Sequence, residues 1–117
     1  MELVMVLVLL AALLQPAWTS SVRRLYHFPL FSSSRVVQLI LELGITDIEI
    51  ISLSYKAMKE EPYLSINPHG TAPAYEEDGL VLLESGAIMT YLLERHDVQH
   101  RLLPADLHQR ARYHQFV

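Results

Sequence analysis

The sequence predicts one small domain of the α/β (α+β) class with a mixed four-stranded sheet, in the order β-α-β-α-β-β-α. Short apolar segments typical of strands alternate with segments of helical periodicity, which predicts a parallel pair of strands joined by a helix. The dipeptide Asp78-Gly79 stands between two further strand candidates and is the strongest hairpin signal in the chain. A hairpin adds antiparallel strands, so the sheet is expected to contain both kinds of pairing.

A strand and a helix are predicted at the start of the domain. Residues 25–28 form a strand candidate, which stops at Pro29 because proline lacks a backbone N–H. The three serines at positions 32–34 are typical helix-capping residues. Apolar side chains then recur at helical spacing over residues 35–43, until Gly44 ends the helix.

A second strand and a polar segment are predicted next. Residues 45–53 are rich in isoleucine and apolar on both faces, which predicts a parallel strand that is buried on both sides. Residues 55–65 carry lysine, glutamate and Pro62, and we predict a loop with one poor helix there. The alternation of strand, helix and strand is what favours the parallel pair.

The second half of the domain is predicted as a hairpin followed by a helix. Strands over residues 72–75 and 80–83 flank the turn, and an amphipathic helix runs over residues 85–95. Residues 102–106 are predicted to be a linker that carries a helix-start signal, and the sequence is helical in character from residue 107 onward.

Two features of this half predict a site for a short anionic peptide. Pro73 removes a ladder donor from its strand and therefore belongs at an edge or a bend. There the backbone N–H and C=O of Ala72 are free to pair with an extended peptide. Ser85 is a plausible N-cap, and the start of its helix is a ready site for a carboxylate.

Composition and length exclude several classes of function. The chain has 117 residues and a net charge of −4, without a basic stripe, so nucleic acid is not an expected partner. It contains no cysteine, which excludes disulfides, thiolate zinc sites and Cys-x-x-Cys redox centres. His96 and His100 are four residues apart, but no third ligand follows at a defined spacing. We therefore predict no metal site, and a solvated surface for these two histidines.

The first 21 residues differ from the rest of the chain. Residues 3–14 form an unbroken apolar run, which at helical rise covers about 18 Å and falls short of a bilayer core of about 30 Å. Small polar residues follow, so this N-terminal hydrophobic helix is predicted to be a signal peptide or a short anchor. No Lys or Arg precedes the run, while Arg23 and Arg24 follow it, and a true start near Val22 is the alternative.

These two interpretations of residues 1–21 predict different locations. A signal peptide or anchor implies a secreted or membrane-anchored protein, with membrane contact through this segment alone. A start near Val22 implies a cytoplasmic protein.

Residues 67–75 (NPHGTAPAY) and 84–88 (ESGAI) resemble the N-terminal, thioredoxin-like domain of cytosolic glutathione transferases, and the similarity extends from about Arg24 to Val117. The resemblance implies a thioredoxin-like βαβ-α-ββα fold, in which a cis-proline loop pairs with the cysteinyl backbone of glutathione. A Glu-Ser pair that opens a helix holds the γ-glutamyl end. The residues that the resemblance assigns to glutathione binding are Thr71, Ala72, Pro73, Glu84 and Ser85.

The resemblance also implies a hydroxyl group that donates to the glutathione sulfur and favours the thiolate, which then attacks a small electrophile. In serine-type relatives this hydroxyl lies four residues before the arginine of the first helix, where this chain has Phe31. We take Ser32 and Ser33 as the candidate catalytic residues, although each is also a typical helix cap. Tyrosine-type relatives use the end of the first strand, where Tyr26 and His27 lie.

The resemblance divides the chain and leaves a second function open. Residues 22–98 are expected to be the glutathione-binding domain, and residues 99–117 a linker with the start of an incomplete helical domain, in which Tyr113 and Phe116 would have no partner domain. The expected partners are glutathione as co-substrate, a small electrophile and a second copy in a homodimer, without another cofactor. Because Phe31 cannot donate a hydrogen bond, a catalytically silent binding module is the alternative to a transferase.

Overall fold

The computed structural model describes residues 22–117. The prediction of a hydrophobic helix, as signal peptide or anchor, over residues 1–21 lies outside the described residues. Within residues 22–117 no helix is long and apolar enough to cross a bilayer. The elements, in chain order, are β1 (Arg23–His27), α1 (Ser33–Glu42), β2 (Ile48–Ser52), α2 (Tyr55–Met58), α3 (Tyr63–Ile66), β3 (Ala74–Glu77), β4 (Leu80–Leu83), α4 (Ser85–His96) and α5 (Leu107–Phe116).

The four strands form one mixed sheet in the order β2-β1-β3-β4. β1 runs parallel to β2, with Leu25 opposite Ile50, and antiparallel to β3, with Leu25 opposite Tyr75. β3 and β4 form the antiparallel hairpin. At its turn Asp78 and Gly79 both have positive φ, of 48° and 81°, as a type I′ turn requires. The predicted mixed sheet and the predicted hairpin are confirmed.

The sheet has a buried cluster on each face, because successive side chains of a strand point to opposite sides. Leu25 and Tyr75 are fully buried on the face that α1 and α4 cover. Tyr26 and Ala74, one position away in each strand, belong to the second cluster, together with side chains of α2 and α3. The two central strands are therefore held from both sides, and the loops at their ends are carried on a rigid support.

The prediction that the isoleucine-rich strand is buried on both faces is wrong. β2 spans only Ile48–Ser52 and lies at the edge of the sheet. Ile48 packs into the core below α1, whereas Ile50, on the same face, is 38% exposed. An edge strand is covered only as far as its neighbouring helices reach. Hydrophobic composition therefore did not determine the position of this strand in the sheet.

Several boundaries differ from those predicted. β1 ends at His27, α1 begins at Ser33, and the polar segment contains two short helices where one was expected. β3 begins at Ala74 and lies inside the sheet, so Pro73 stands at the bend before the strand and not on an edge. At this position the missing N–H of proline removes no hydrogen bond from the ladder.

The last helix packs on the core through one aromatic side chain. The Asp106 carboxylate caps α5 by accepting a hydrogen bond from the Gln109 N–H at 3.0 Å. Tyr113 packs against the core cluster, and its hydroxyl lies 3.3 Å from the Thr90 Oγ1 atom. Phe116 is 81% exposed. No partner domain is expected for either aromatic side chain, yet Tyr113 packs on this domain because α5 folds back against α4.

We expect the chain to be less stable in mild acid because of the imidazole of His96, at the end of α4. Its Nε2 atom is buried and has no hydrogen-bond partner among residues 22–117, so the expectation of a solvated histidine is wrong. Burial, and then the positive charges of Arg95 and Arg23, hold the pKa of His96 below its ordinary value of 6.5. The unfolded chain therefore binds this proton more readily, and the free energy of unfolding falls as pH drops below about 6.5.

The measurement is urea unfolding of the chain between about pH 7 and pH 5. A His96→Gln variant is expected to have a flatter profile over this range than the parent chain. His108→Gln, at an exposed position of α5, serves as the matched control and should keep the parent profile. A control profile as flat as that of His96→Gln would contradict the assignment.

Candidate functional site

A cavity of about 420 Å³ opens where the chain leaves β1, a volume within the range of about 300–1,000 Å³ typical of small-molecule sites. Four segments form it: the turn after β1, helix α2, the loop before β3 and the residue before α4. Its lining residues are Phe28, Phe31, Ser32, Tyr55, Met58, Lys59, Gly70, Thr71, Ala72 and Glu84. A larger cavity of about 710 Å³ lies against β4, α4 and α5 and contains none of the predicted site residues.

The loop before β3 presents a free backbone group to this cavity. The peptide bond between Ala72 and Pro73 is cis, as the resemblance implies. The Thr71 carbonyl is held from behind, since it accepts hydrogen bonds from the Tyr63 hydroxyl at 2.5 Å and from the buried Asn67 amide at 2.7 Å. The Ala72 N–H has no hydrogen-bond partner in the described part of the chain. Ala72 is therefore anchored by its neighbours while its own N–H stays available.

Lys59 places a cation beside the same loop. Its ammonium donates a hydrogen bond to the Gly70 carbonyl at 2.8 Å and lies 5.3 Å from the centre of the Tyr55 ring. Sequence reasoning missed this residue, because Lys59 lies in the polar segment at no spacing that relates it to the proline loop. The presence of lysine in that segment was the available signal, and the neighbouring glutamates weaken it.

The three consecutive serines have different environments. Ser32 is exposed and lines the cavity, with its Oγ atom 3.5 Å from the Ala72 carbonyl oxygen. Ser33 is fully buried, and its Oγ atom contacts the His27 ring and the backbone of Phe28. The Ser34 hydroxyl accepts a hydrogen bond from the Leu30 N–H. The structure thus brings Ser32 to the cavity and directs the hydroxyl of Ser33 elsewhere.

The tyrosine-type alternative, in which Tyr26 or His27 serves the sulfur, has no side chain in the cavity. The Tyr26 hydroxyl donates to the Glu76 carboxylate at 2.7 Å, on the sheet below the cavity. Burial, and then the hydrogen bond to Glu76, raise the pKa of Tyr26 to about 12. His27 turns toward Ser33. Neither side chain lines the cavity.

Glu84 and Ser85, at the start of α4, have different surroundings. Glu84 lines the cavity with φ of 68°, a conformation that costs a non-glycine residue about 1–2 kcal/mol. Ser85 is the first helical residue, and its hydroxyl accepts hydrogen bonds from Arg35 Nε at 3.1 Å and Nη2 at 2.6 Å. The expectation that Ser85 caps the helix is therefore wrong, because Arg35 occupies its oxygen and Glu84 holds the cap position without a side-chain bond.

The predicted catalytic and binding residues therefore come together at one cavity, with one exception. Ser32, Thr71, Ala72 and Glu84 line one cavity, and Pro73 and Ser85 each follow one of these lining residues in the chain. The exception is Ser33, which lies behind the cavity wall. Lys59 and Glu84 give the cavity one positive and one negative side chain, an arrangement suited to a peptide that carries both charges.

A family model described as the glutathione S-transferase N-terminal domain matches residues 25–101. The chain belongs to the glutathione S-transferase family. The glutathione S-transferase-like protein gedE of Aspergillus terreus is 43% identical to this chain over 68 residues, which are 56% of this chain and 30% of gedE. Glutathione S-transferase D7 of Drosophila melanogaster is 34% identical over 91 residues, which are 74% of this chain and 40% of D7. The chain thus spans less than half the length of these two relatives.

Solved glutathione transferases share the fold of this domain. An epsilon-class glutathione S-transferase from the housefly, Musca domestica, superimposes with a TM-score of 0.69 and 32% identity, over 76% of this chain and 42% of that protein. Human glutathione transferase theta-2, solved in complex with glutathione, gives a TM-score of 0.71 and 28% identity, over 80% of this chain and 40% of that protein. The predicted thioredoxin-like fold of a glutathione transferase N-terminal domain is therefore confirmed.

Proposed function

We propose that this domain binds glutathione in the cavity beside Ala72 and that the whole protein transfers the glutathione thiolate to a small electrophile. The observation that carries the proposal is the meeting, in one cavity, of the free Ala72 N–H with the Glu84 carboxylate. Human glutathione transferase theta-2, which shares this fold, was solved in complex with glutathione, and this supports the same ligand here.

The middle of the tripeptide pairs with the Ala72 backbone. An extended peptide that adds to a free strand segment makes main-chain hydrogen bonds without needing a particular side chain. The Ala72 N–H is available for this pairing, and within residues 22–117 the Ala72 carbonyl has only the weak contact with Ser32 at 3.5 Å. Two such bonds fix the direction of the peptide along the cavity.

The charged ends of glutathione match the two charged sides of the cavity. The Glu84 carboxylate pairs with the ammonium of the γ-glutamyl residue, while the carboxylate of that residue lies at the first backbone N–H groups of α4. At the other end Lys59 pairs with the glycyl carboxylate. The ligand is thus a zwitterion held at both ends, and its cysteinyl sulfur faces the turn that carries Ser32.

Replacing Glu84 by alanine is expected to weaken glutathione binding by about tenfold or more, because a hydrogen bond to a charged group contributes about 1.5–3 kcal/mol. Isothermal titration calorimetry of the chain with reduced glutathione measures the effect. Glu94→Ala, an exposed change on the same helix, is the matched control and should keep the parent affinity. Equal affinities for the two variants would remove Glu84 from the site.

For the reaction, we assign the hydrogen bond to the glutathione sulfur to Ser32. Among the serines of residues 22–117, Ser32 is the one that lines the cavity. A donor near the sulfur stabilises the thiolate over the thiol and so lowers the pKa of the bound thiol. In Ser32→Ala, glutathione should still bind, while the thiolate absorbance of the bound ligand falls at neutral pH.

A catalytically silent binding module is the second candidate, and Phe31 favours it. This side chain is 62% exposed at the position where serine-type relatives carry their hydroxyl. It stacks on Phe28 with ring centres 4.9 Å apart and so gives the cavity an apolar side. Conjugation of a generic aryl halide separates the two functions. A rate above the uncatalysed background establishes a transferase, and glutathione binding without any such rate establishes the silent module.

For the whole protein we propose glutathione as co-substrate without another cofactor, a small electrophile as second substrate, and pairing into a homodimer. The exposed edge strand β4, with Leu80 38% and Val81 44% exposed, supports pairing. Residues 22–98 form the glutathione domain, and residues 99–117 lead into a helical domain. We propose that residues 1–21 direct secretion or anchor the protein in a membrane. The alternative is a cytoplasmic protein that starts near Val22, and sequencing of the mature N-terminus decides between the two.

A further inference from the structure

The buried Ser33 hydroxyl has three polar neighbours, and together they determine where its proton goes. Its Oγ atom lies 2.9 Å from the Phe28 N–H nitrogen, 2.9 Å from the Phe28 carbonyl oxygen and 2.8 Å from His27 Nδ1. A serine hydroxyl has one proton to donate and two lone pairs. The Phe28 N–H uses one lone pair, and the Phe28 carbonyl can only accept.

All three contacts are hydrogen bonds only if the histidine donates. Ser33 then gives its single proton to the Phe28 carbonyl, and its second lone pair accepts from His27 Nδ1–H. If Nδ1 carried no proton, it would compete with that carbonyl for the same serine proton. Either Nδ1 would then lose its bond to Ser33, or the Phe28 carbonyl would keep only the long contact from the Phe31 N–H at 3.4 Å. The geometry therefore favours a protonated Nδ1.

We propose that His27, in its Nδ1–H tautomer, and Ser33 are a positioning pair that holds the turn after β1 and so presents the Ser32 hydroxyl to the cavity. The catalytic consequence rests on the proposed function; the hydrogen-bond arrangement does not. The two residues act through Ser32 and touch neither the sulfur nor the electrophile.

The turn needs this support because its middle is both strained and exposed. Leu30, in its middle, has φ of 70° and is 95% exposed, so it carries backbone strain without compensating burial. The His27 carbonyl accepts from the Leu53 N–H at 2.7 Å, which fixes His27 to the sheet. Its ring then bonds to the first residue of α1. The pair thus transmits the position of the rigid sheet to the start of α1, one residue after Ser32.

Hydroxyl placement near a sulfur is sensitive to small shifts, since hydrogen bonds weaken steeply with distance and angle. Without the pair, the turn is tied to α1 by the Ser34 contact with Leu30 N–H at 3.1 Å and by backbone bonds of the turn itself. We therefore expect loss of His27 donation to affect the ionisation of bound glutathione more than its affinity.

The first test is the ring nitrogen NMR spectrum of His27 in the ligand-free chain, at about pH 8, where an ordinary histidine is neutral. A protonated Nδ1 and an unprotonated Nε2 are expected, with the signal assigned by its loss in His27→Asn. The opposite tautomer would overturn the proposal. This measurement needs no glutathione, so it still decides the pair if the chain proves not to bind the tripeptide.

The second test compares His27→Leu, which lacks a donor, with His27→Asn, whose side-chain amide retains an N–H near the position of Nδ1. In His27→Leu the thiolate fraction of bound glutathione should fall to the level of Ser32→Ala, with affinity changed less than about threefold. His27→Asn should restore it. Equal thiolate fractions in the leucine variant and the parent, or no rescue by asparagine, would leave His27 a merely structural residue.

Discussion

Replacing Glu77 by alanine is expected to lower the free energy of unfolding by about 3 kcal/mol, as for a buried ion pair that loses one partner. Glu77 ends β3 and is 2% exposed. Its carboxylate faces Arg23 Nε at 2.5 Å, contacts Arg95, and accepts a hydrogen bond from the Tyr91 hydroxyl. That hydrogen bond is the main cause that raises the pKa of Tyr91 above 10.0.

The cost follows from what the substitution leaves behind. Alanine removes the one carboxylate that all three groups share, so two guanidinium groups then face each other without the anion between them. The Tyr91 hydroxyl also loses its acceptor. Arg23 is only 14% exposed, so water reaches it poorly. Arg23 keeps its contact with the exposed Asp47 carboxylate, but its Nε side loses the Glu77 anion. A poorly hydrated charge that loses a partner costs far more than one on the surface.

Urea unfolding at about pH 7 measures the effect, and Glu49→Ala is its matched control. Glu49 also pairs with an arginine of β1, at 3.4 Å from Arg24, but both side chains are at least two-fifths exposed. Surface pairs of this kind contribute about 0–1 kcal/mol. If both alanine variants lowered the free energy of unfolding equally, burial would not explain the contribution of Glu77.

Replacing Gly70 by alanine is expected to destabilise the chain by about 2 kcal/mol or more and to weaken glutathione binding as well. Gly70 has φ of 62°, where an L side chain is strained, and a Cβ atom there would lie 3.0 Å from the Met58 carbonyl oxygen. That oxygen belongs to the backbone at the end of α2 and cannot move aside cheaply. The loop must shift instead, and it carries Thr71 and Ala72 into the cavity.

Gly44→Ala separates the two contributions to this effect. Gly44 has nearly the same φ, of 67°, but a Cβ atom there would have no neighbour within 4 Å. In Gly44→Ala the free energy of unfolding should therefore fall only by the cost of the backbone conformation, about 1–2 kcal/mol, with glutathione affinity unchanged. Urea midpoints and titration calorimetry on both variants measure the difference. Parent-like glutathione affinity in Gly70→Ala would show that the position of this loop is not coupled to the site.

Local patterns in the sequence determined most of the architecture. The Asp78-Gly79 turn, the change from strand to helix periodicity and the proline before β3 depend on neighbours a few residues away, so the chain shows them without a structure. The same holds for the motifs around Ala72 and Glu84, which are short and contiguous. The family and its mixed sheet followed from these features.

The tertiary structure alone decided which side chains meet. Nothing in the run of three serines distinguishes Ser32, at the cavity, from Ser33, because their difference arises from the His27 ring at the end of the neighbouring strand. Arg35 reaches Ser85 across fifty positions of the chain, and Glu77 gathers charges from β1 and α4. Such contacts depend on how the helices cross the sheet, and that packing is a property of the whole core, which no short stretch of sequence contains.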